Sequence, residues 1–462
     1  MKNMSINEIL EATQGALIAG NRDNQINGVF IDSRIITPKT MFVAIPGERV
    51  DGHDYIIEAI KKGCTAVLIS SKRDEATSKA LEKGTAIIRV EDTVVALQQV
   101  AAYYLNRFNI KKVGVTGSVG KTTTKEMLYC ILSEKYNTVR NPLNYNNAIG
   151  LPLSIFNVEE QTEAAVFEMG MDCLGEIHRL AELVHPNVAV ITNVGVAHLE
   201  RLGSRENILK AKMEIVDFLE SGDTLVINGD DELLSKTVLN GPYRVLRVGG
   251  QGEIQLDKIN DMGEEGVSFT LCYEGKKTMF SLSIPGRHNA INGAIAVGAA
   301  LTCGVSMEEA VEGLKKFRPA DKRGFLYNGG GIKIIDDSYN ANPQSMRAAI
   351  DMLSSVKGGR RIAILGDMGE LGKDSEKFHL SLGEYIKDKP LDILITVGEL
   401  SRFVSMGAAG RIEIHHFRNK EDFHNEMVKL IKPDDIILVK GSRFMEMEKT
   451  VEQLKWKYTE ED

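Results

Sequence analysis

A run of small residues ending in lysine and threonine, Gly117-Ser118-Val119-Gly120-Lys121-Thr122-Thr123, lies between an apolar stretch at 113–115 and a helical stretch at 121–134. A glycine loop in that position belongs to the strand–loop–helix unit of a parallel α/β sheet. Small residues let backbone N–H groups face phosphate oxygens, and the helix presents its positive N-terminus to them. Lys121 would bridge the β- and γ-phosphates of a nucleotide and the Thr122 hydroxyl would ligand Mg2+, so ATP is the expected cosubstrate. The strict spacing places a glycine six positions before the lysine, where this chain has Val115, so the loop is a shortened variant beginning at Gly117. The alternative is a glycine-rich turn with no ligand.

A chain of 462 residues exceeds one ordinary core, and its length predicts about three domains. With 43% hydrophobic and 26% charged residues it has the composition of a soluble globular protein. A net charge of -8 argues against a nucleic-acid surface, which needs clustered Lys and Arg. There is no run of 18 apolar residues, and residues 1–20 lack a signal-peptide pattern, so a cytosolic protein without membrane insertion is expected. A monomer is the default expectation. Cys64, Cys130, Cys173, Cys272 and Cys303 include no C-x-x-C pair and are expected to be buried thiols rather than disulfides or zinc ligands.

Short apolar strands at 28–31, 41–44, 66–69 and 86–90 alternate with helical stretches and predict a small α/β domain over 1–104. A helix over 94–108 leads to the glycine loop. Strands at 164–167, 188–192 and 224–227, each followed by helical periodicity, predict a parallel sheet covered on both faces in a domain over 105–318. Stretches 268–271 and 278–282 read as an antiparallel addition, and an alanine-rich helix over 289–302 is expected to pack on the same sheet. Turn-formers and charge at 317–324 mark a boundary. Beyond it, strands at 332–335, 361–365, 393–397 and 436–439 and helices at 343–353, 375–385 and 421–431 predict a Rossmann-like, doubly wound domain over 319–462. The acidic residues 459–462 read as a solvated tail.

Ligands of open α/β sheets gather at the carboxyl ends of strands, where four loops stand out. The first is the glycine loop. In the second, Glu168 ends an apolar strand, where phosphoryl-transfer enzymes place an acid for Mg2+ or water; an ordinary strand-end carboxylate is the alternative. The third, residues 192–198, offers His198 as metal ligand or hydrogen-bond donor, against the commoner structural histidine. The fourth, Asp336-Asp337-Ser338-Tyr339-Asn340-Ala341-Asn342-Pro343, reads by itself as an Asx-type helix start.

Together these loops resemble the Mur ligase family, ATP-dependent amide-forming enzymes of cell-wall precursor synthesis, along essentially the whole chain. The resemblance also rests on Asn144-Tyr145-Asn146-Asn147-Ala148-Ile149-Gly150, on Ala211-Lys212-Met213-Glu214-Ile215 and on Gly286-Arg287-His288-Asn289-Ala290-Ile291-Asn292. Residues 365–372, Phe378-His379, Lys440-Gly441-Ser442-Arg443 and Met447-Glu448 are similar to the members that add D-alanyl-D-alanine to UDP-N-acetylmuramoyl-tripeptide. The Asp-Asn-Pro-Arg segment of the members that add the third amino acid is absent from the sequence. The resemblance implies that Asp32-Ser33-Arg34 and the segment around Asp51-Gly52-His53 hold the UDP end of the substrate through Ser33 and Arg34, with Asn146 and Asn147 also on that substrate.

It implies further that Thr122, Glu168, His198 and a carboxylated Lys212 ligate two Mg2+ ions, although the residues alone read Lys212 as a solvated helix lysine beside Lys210 and Glu214. Asn289 and Asn292 resemble residues around the adenine. Arg323, Asp337 and Tyr339 resemble contacts to the γ-phosphate, the ribose and the adenine-ribose region. Arg443 is the expected acceptor contact, suited to a carboxylate. The implied mechanism passes through an acyl phosphate, with Lys121, Arg323 and Mg2+ stabilising developing charge and no side-chain nucleophile. Folylpolyglutamate synthase is the alternative of the same fold. A nucleotide-switched binding protein is a more distant one, which lacks its Asn-Lys-x-Asp motif here.

Overall fold

The computed structural model describes residues 1–47, 49–71, 74–142, 144–319 and 322–459. Residues 320–321 of the expected boundary and 460–462 of the expected tail lie outside the described residues. The chain forms two compact units, one from Met1–Gly114, Tyr136–Gly170 and Glu176–Asn187, the other from Val115–Lys135, Met171–Gly175 and Val188–Asp462. Among the described residues no helix is long and apolar enough to cross a membrane.

The first unit opens with helix Ile6–Thr13, started by a capping box: Glu8 N donates to Ser5 Oγ and Ser5 N donates to the Glu8 carboxylate. Strands Ala16–Ala19, Ala86–Arg89, Ala66–Ile69, Thr40–Val43 and Gly28–Phe30 form one sheet in that spatial order. Only Ala16–Ala19 runs antiparallel to its neighbour. The inner strands Ala66–Ile69 and Thr40–Val43 are buried at every position, which is why they read as short apolar runs rather than alternating ones. Strands Lys111–Thr116, Ala164–Glu168 and Thr138–Arg140 neighbour one another in that order, the last two in parallel register.

In the second unit, Val188–Ile191, Thr224–Asn228 and Arg244–Val248 are parallel neighbours. The antiparallel addition is a separate sheet of three strands, Gln255–Asp261, Val267–Tyr273 and Lys276–Leu282. Its first strand escapes the sequence pattern because Gln255–Asp261 is polar, half-exposed and interrupted by a register shift. Helix Arg287–Thr302 packs against both sheets, and its glycines permit this. A Cβ on Gly298 would sit 2.8 Å from Val248 of the parallel sheet, and one on Gly293 3.1 Å from Phe269 of the antiparallel one.

The C-terminal sheet runs Phe325–Gly329, Ile332–Asp336, Ile436–Lys440, Arg361–Gly366, Ile393–Val397 and Glu413–Phe417. All neighbours are parallel except the first pair. That pair is a hairpin turned by Gly330 and Gly331, whose φ values of +55° and +74° suit glycine. Alternation along the strands feeds two cores. Ile335, Ala363, Leu365, Leu394 and Leu438 meet helices Pro343–Ser355 and Ser375–Ile386 on one face. Ile334, Ile362, Ile364, Ile395 and Ile437 meet Phe423, Met427 and Leu454 on the other. The doubly wound expectation holds; the edge strands Phe325–Gly329 and Glu413–Phe417 are half-exposed and lack the apolar run that marks the inner four.

One expectation about the thiols is corrected. Cys64 and Cys303 are buried, but Cys130 and Cys272 are partly exposed and Cys173 is exposed. Cys173 lies in the loop 171–175 rather than on a core face. Burial pushes the Cys64 thiol up to about 12.

Candidate active site

Thr116 ends its strand by accepting a hydrogen bond from Thr192 N at 3.0 Å, and the glycine loop begins one residue later. The 192–195 segment grips that loop along its length. Asn193 pairs with Val119 at both ends of its amide, accepting from Val119 N at 2.9 Å and donating to Val119 O at 2.8 Å. Thr192 Oγ1 donates to the same carbonyl at 2.6 Å, and Gly195 N donates to Ser118 Oγ at 2.8 Å. A Cβ on Gly117 would lie 1.9 Å from Thr192 Oγ1. Gly120 has φ +82° and is the N-cap of helix Lys121–Leu132, a cap with no side-chain hydrogen bond. The result is a rigid backbone cradle at a helix N-terminus, an arrangement suited to phosphate. Lys121 Nζ donates to Gly117 O at 2.8 Å across the mouth of the loop, and Thr122 is buried behind it.

Lys212 overturns its reading as a solvated lysine. It is 1% exposed, on the inward face of helix Arg205–Met213 with Ile208 and Ala211. Burial first, and the nearby Lys121 charge second, hold its amine well below the ordinary lysine range, so it gives up its proton more readily than an exposed lysine. The signal was present: 212 follows Ile208 by four positions and precedes Ile215 by three, the spacing of one buried stripe.

His198 Nδ1 lies 2.7 Å from a Glu370 carboxylate oxygen and 3.3 Å from Asp172, and Arg201 pairs with Asp172 at 3.0 Å. One ligand atom from each of Asp172, His198 and Glu370 falls within 4.8 Å of the others, a set able to hold a metal ion. His198 first, with Arg201 and Lys121 adding to it, holds the Glu370 carboxyl below its usual range against the effect of burial. Glu370 belongs to the C-terminal sheet's loops, so the phosphate-loop region and the C-terminal sheet meet here.

Asn292 packs its amide against the phosphate loop, 2.6 Å from where a Gly120 Cβ would stand, while Asn289 donates to Pro285 O at 2.7 Å one turn back. Arg323 stacks its guanidinium over the Tyr339 ring at 4.0 Å, and Tyr339 N donates to Lys322 O at 3.1 Å, which fixes the segment before the sheet to the strand-end loop. Asp337 is paired with the buried Lys440 at 2.6 Å. Its neighbour Asp336 is different: it is buried, accepts from Ser338 Oγ at 2.5 Å, and is pushed up by burial. As expected, the loop starts a helix, with Asn342 capping Ser345 N and Pro343 in the first turn.

Loops 366–372 and 440–443 are joined through Ser442, whose hydroxyl accepts from Gly369 N at 2.7 Å and donates to Ala341 O at 3.1 Å. His379 is fully buried and works on the same loop: Nε2 accepts from Met368 N at 2.9 Å and Nδ1 donates to Ser375 O at 2.7 Å. Burial lowers its pKa and keeps this tautomer neutral. Arg443 is exposed and paired with Glu448 at 2.5 Å.

In the first unit, Glu168 is buried at the end of its strand. Asn146 donates to its carboxylate at 2.7 Å, and Asn141 accepts from Glu168 N at 2.8 Å. Asn147 accepts from Gly150 N at 2.8 Å, so its side chain shapes the turn into helix Gly150–Ile155. Ser33 is buried; Arg34 is exposed and held by Asp32 at 2.7 Å. His53 accepts from Ser70 N at 3.0 Å and donates to Asp51 at 2.7 Å.

Family models match almost the whole of this framework: the Mur ligase family catalytic domain over residues 25–105, the Mur ligase middle domain over 115–300, and the Mur ligase glutamate ligase domain over 323–443. The chain belongs to the Mur ligase family. A UDP-N-acetylmuramoyl-tripeptide--D-alanyl-D-alanine ligase of Bacillus subtilis is 36% identical over 98% of this chain and 99% of its own. The crystal structure of MurF from Acinetobacter baumannii superposes with a TM-score of 0.90 at 30% identity, covering 98% of this chain and 99% of that one. MurF ligase from Thermotoga maritima, solved in complex with ADP, gives 0.82 at 30% identity over 93% and 97%. The architecture is thus the three-domain one of Mur ligases.

Within this Mur ligase, three residues at the site carry no role in the sequence reading: Asn141, Asp172 and Glu370. Asn141 and Glu168 are 27 positions apart, and only the fold pairs them. Asp172 follows directly on Met171, the last residue of the strand-end motif. Glu370 stands inside a motif that marks the family without revealing what its carboxylate meets.

Proposed function

We infer that this chain is an ATP-dependent ligase that joins D-alanyl-D-alanine to UDP-N-acetylmuramoyl-tripeptide, releasing ADP and phosphate. The observation that carries the reading is likeness over nearly the full length to ligases of that name, at 36% identity for the Bacillus subtilis enzyme. The site chemistry supports it: a phosphate cradle carries Lys121 beside a buried Lys212 held toward its neutral form. In the first step the tripeptide's terminal carboxylate attacks the γ-phosphorus of ATP, forming an acyl phosphate as the bond to ADP breaks. In the second, the dipeptide amine attacks the acyl carbon and phosphate leaves. Both steps build negative charge, first on the transferring phosphoryl group and then on a tetrahedral oxyanion, and Lys121 and Arg323 are the proposed cationic stabilisers. Ser33, Arg34, Asn146 and Asn147 are proposed for the UDP-muramoyl substrate, Asn289, Asn292, Asp337 and Tyr339 for the nucleotide, and Arg443 for the acceptor.

Taken one by one, the proposed ligands have donor chemistry suited to Mg2+. Thr122 offers a buried hydroxyl, Glu168 a buried carboxylate, and His198 a ring nitrogen facing two acids. A neutral buried lysine amine is also the form that takes up CO2, which would turn Lys212 into an anionic oxygen ligand. When bound, Mg2+ would neutralise charge on the phosphoryl group in transfer. The test is ADP release measured against a panel of UDP-muramoyl-peptides and acceptors. Release that requires both the tripeptide and D-alanyl-D-alanine is expected; release with single amino acids, or with a folate acceptor, overturns the assignment.

A further inference from the structure

We propose that Glu370 is a divalent-cation ligand delivered by the third domain, completing with His198 and Asp172 a site that exists only while that domain is docked. The proposal rests on the ligase reading in taking a Mg2+-like ion as occupant, but the arrangement itself is local geometry. Adjacent ligands around an octahedral ion, each about 2.1 Å from it, stand about 3 Å apart. The His198 Nδ1 atom has carboxylate oxygens at 2.7 and 3.3 Å, straddling that spacing from two different chain segments. The same nitrogen is sealed from solvent and faces two carboxylates, so the cluster calls for a cation, either a proton on the ring or a metal ion.

The backbone supports the same assignment. His198 and Glu370 both have left-handed conformations, with φ of +63° and +60°. A non-glycine residue holds that conformation at a cost of about 1–2 kcal/mol, and such strain concentrates at ligand clamps. Glu370 is held there from several directions. Its carbonyl accepts from Glu200 N at 3.1 Å, and the loop before it is fixed by Ser442 through Gly369 and by His379 through Met368. Gly372 abuts Glu200, where a Cβ would lie 3.3 Å from the backbone. His198 and Asp172 stand apart from the C-terminal sheet in sequence, so separating the third domain from them removes one ligand of three. Cation binding and domain docking are then linked, each strengthening the other by the same factor.

The test is a titration of the full chain with Mn2+ alone, followed by electron paramagnetic resonance, with unfolding temperatures in EDTA and in Mn2+ as second readout. Glu370→Gln keeps size and hydrogen bonding but removes the charge. It is expected to weaken Mn2+ binding at least about tenfold, since even supporting shells of metal sites are worth that much. Asp172→Asn, on the other side of the site, is expected to act in the same direction. In EDTA the Glu370→Gln chain should unfold somewhat below the parent, because it loses the pairing with His198, while in Mn2+ only the parent should gain stability over its own EDTA value. Unchanged Mn2+ affinity in both variants, with binding lost in His198→Ala, overturns the proposal and leaves an ion pair only. Absence of Mn2+ binding by the parent chain overturns it as well. Neither result touches the ligase reading, which stands or falls on ADP release.

Discussion

Lys212 costs the fold stability through the burial of its amine and offers chemistry in return. In the unfolded chain its amine titrates near the ordinary value of 10.5, whereas burial in the folded state lowers it well below that. Between the folded and the unfolded pKa the unfolded chain binds a proton that the folded one does not, so this residue's contribution to stability rises with pH across the window and is lost as pH falls. Lys212→Met keeps the volume and removes the amine. In CO2-free buffer it should raise the unfolding temperature by about 2 °C or more while ligase activity disappears; a melting curve that does not move, or falls, would show that the amine is not buried at a cost. Arg443 presents the opposite case, an exposed guanidinium already committed to Glu448 at 2.5 Å. If it holds the dipeptide carboxylate it must leave Glu448, so Arg443→Ala should raise the KM for D-alanyl-D-alanine and Glu448→Gln should lower it. Kinetics in which both variants shift the KM for ATP equally would remove Arg443 from the acceptor site.

At the scale of elements, the site is a set of strand-end loops tied to one another rather than to their own strands. Gly120 combines φ of +82° with a Cβ position 2.6 Å from the Asn292 amide, so Gly120→Ala meets both backbone strain and a side chain from helix Arg287–Thr302. A loss of about 1 kcal/mol or more in stability, with nucleotide affinity falling by more than tenfold, is expected from denaturant unfolding and calorimetric titration. Ser442 joins two loops of the C-terminal sheet. Ser442→Ala leaves Gly369 N–H without its acceptor and should cost about 1–3 kcal/mol. The KM for D-alanyl-D-alanine should rise more than that for ATP. Equal effects on both would indicate a general loss of packing instead of a displaced acceptor loop.

Across the molecule, proposed nucleotide contacts stand on two domains of the second unit: Lys121, Asn289 and Asn292 on the middle one, Arg323, Asp337 and Tyr339 on the third. Non-hydrolysable ATP analogue with Mg2+ should therefore slow amide hydrogen exchange in 117–124 and in 337–343 together, because each half needs the other to close on the ligand. Protection confined to the glycine loop would place the nucleotide on the middle domain alone.

The glycine loop, the inner strands and the doubly wound C-terminal sheet were legible in the chain because each is a local pattern: small residues before Lys-Thr, and apolar runs buried on both faces. Edge strands such as Glu413–Phe417 were not, since a half-exposed strand has no such run. The family's residues could be numbered from motifs, but what each one touches could not. That Lys212 is buried beside Lys121, and that Glu370 reaches His198 from a loop 172 positions later, follow only from packing that brings distant segments together. Local sequence sets backbone conformation and hydrophobic period; burial, pKa and ligand geometry depend on neighbours supplied by the rest of the chain, so the tertiary structure alone decides them.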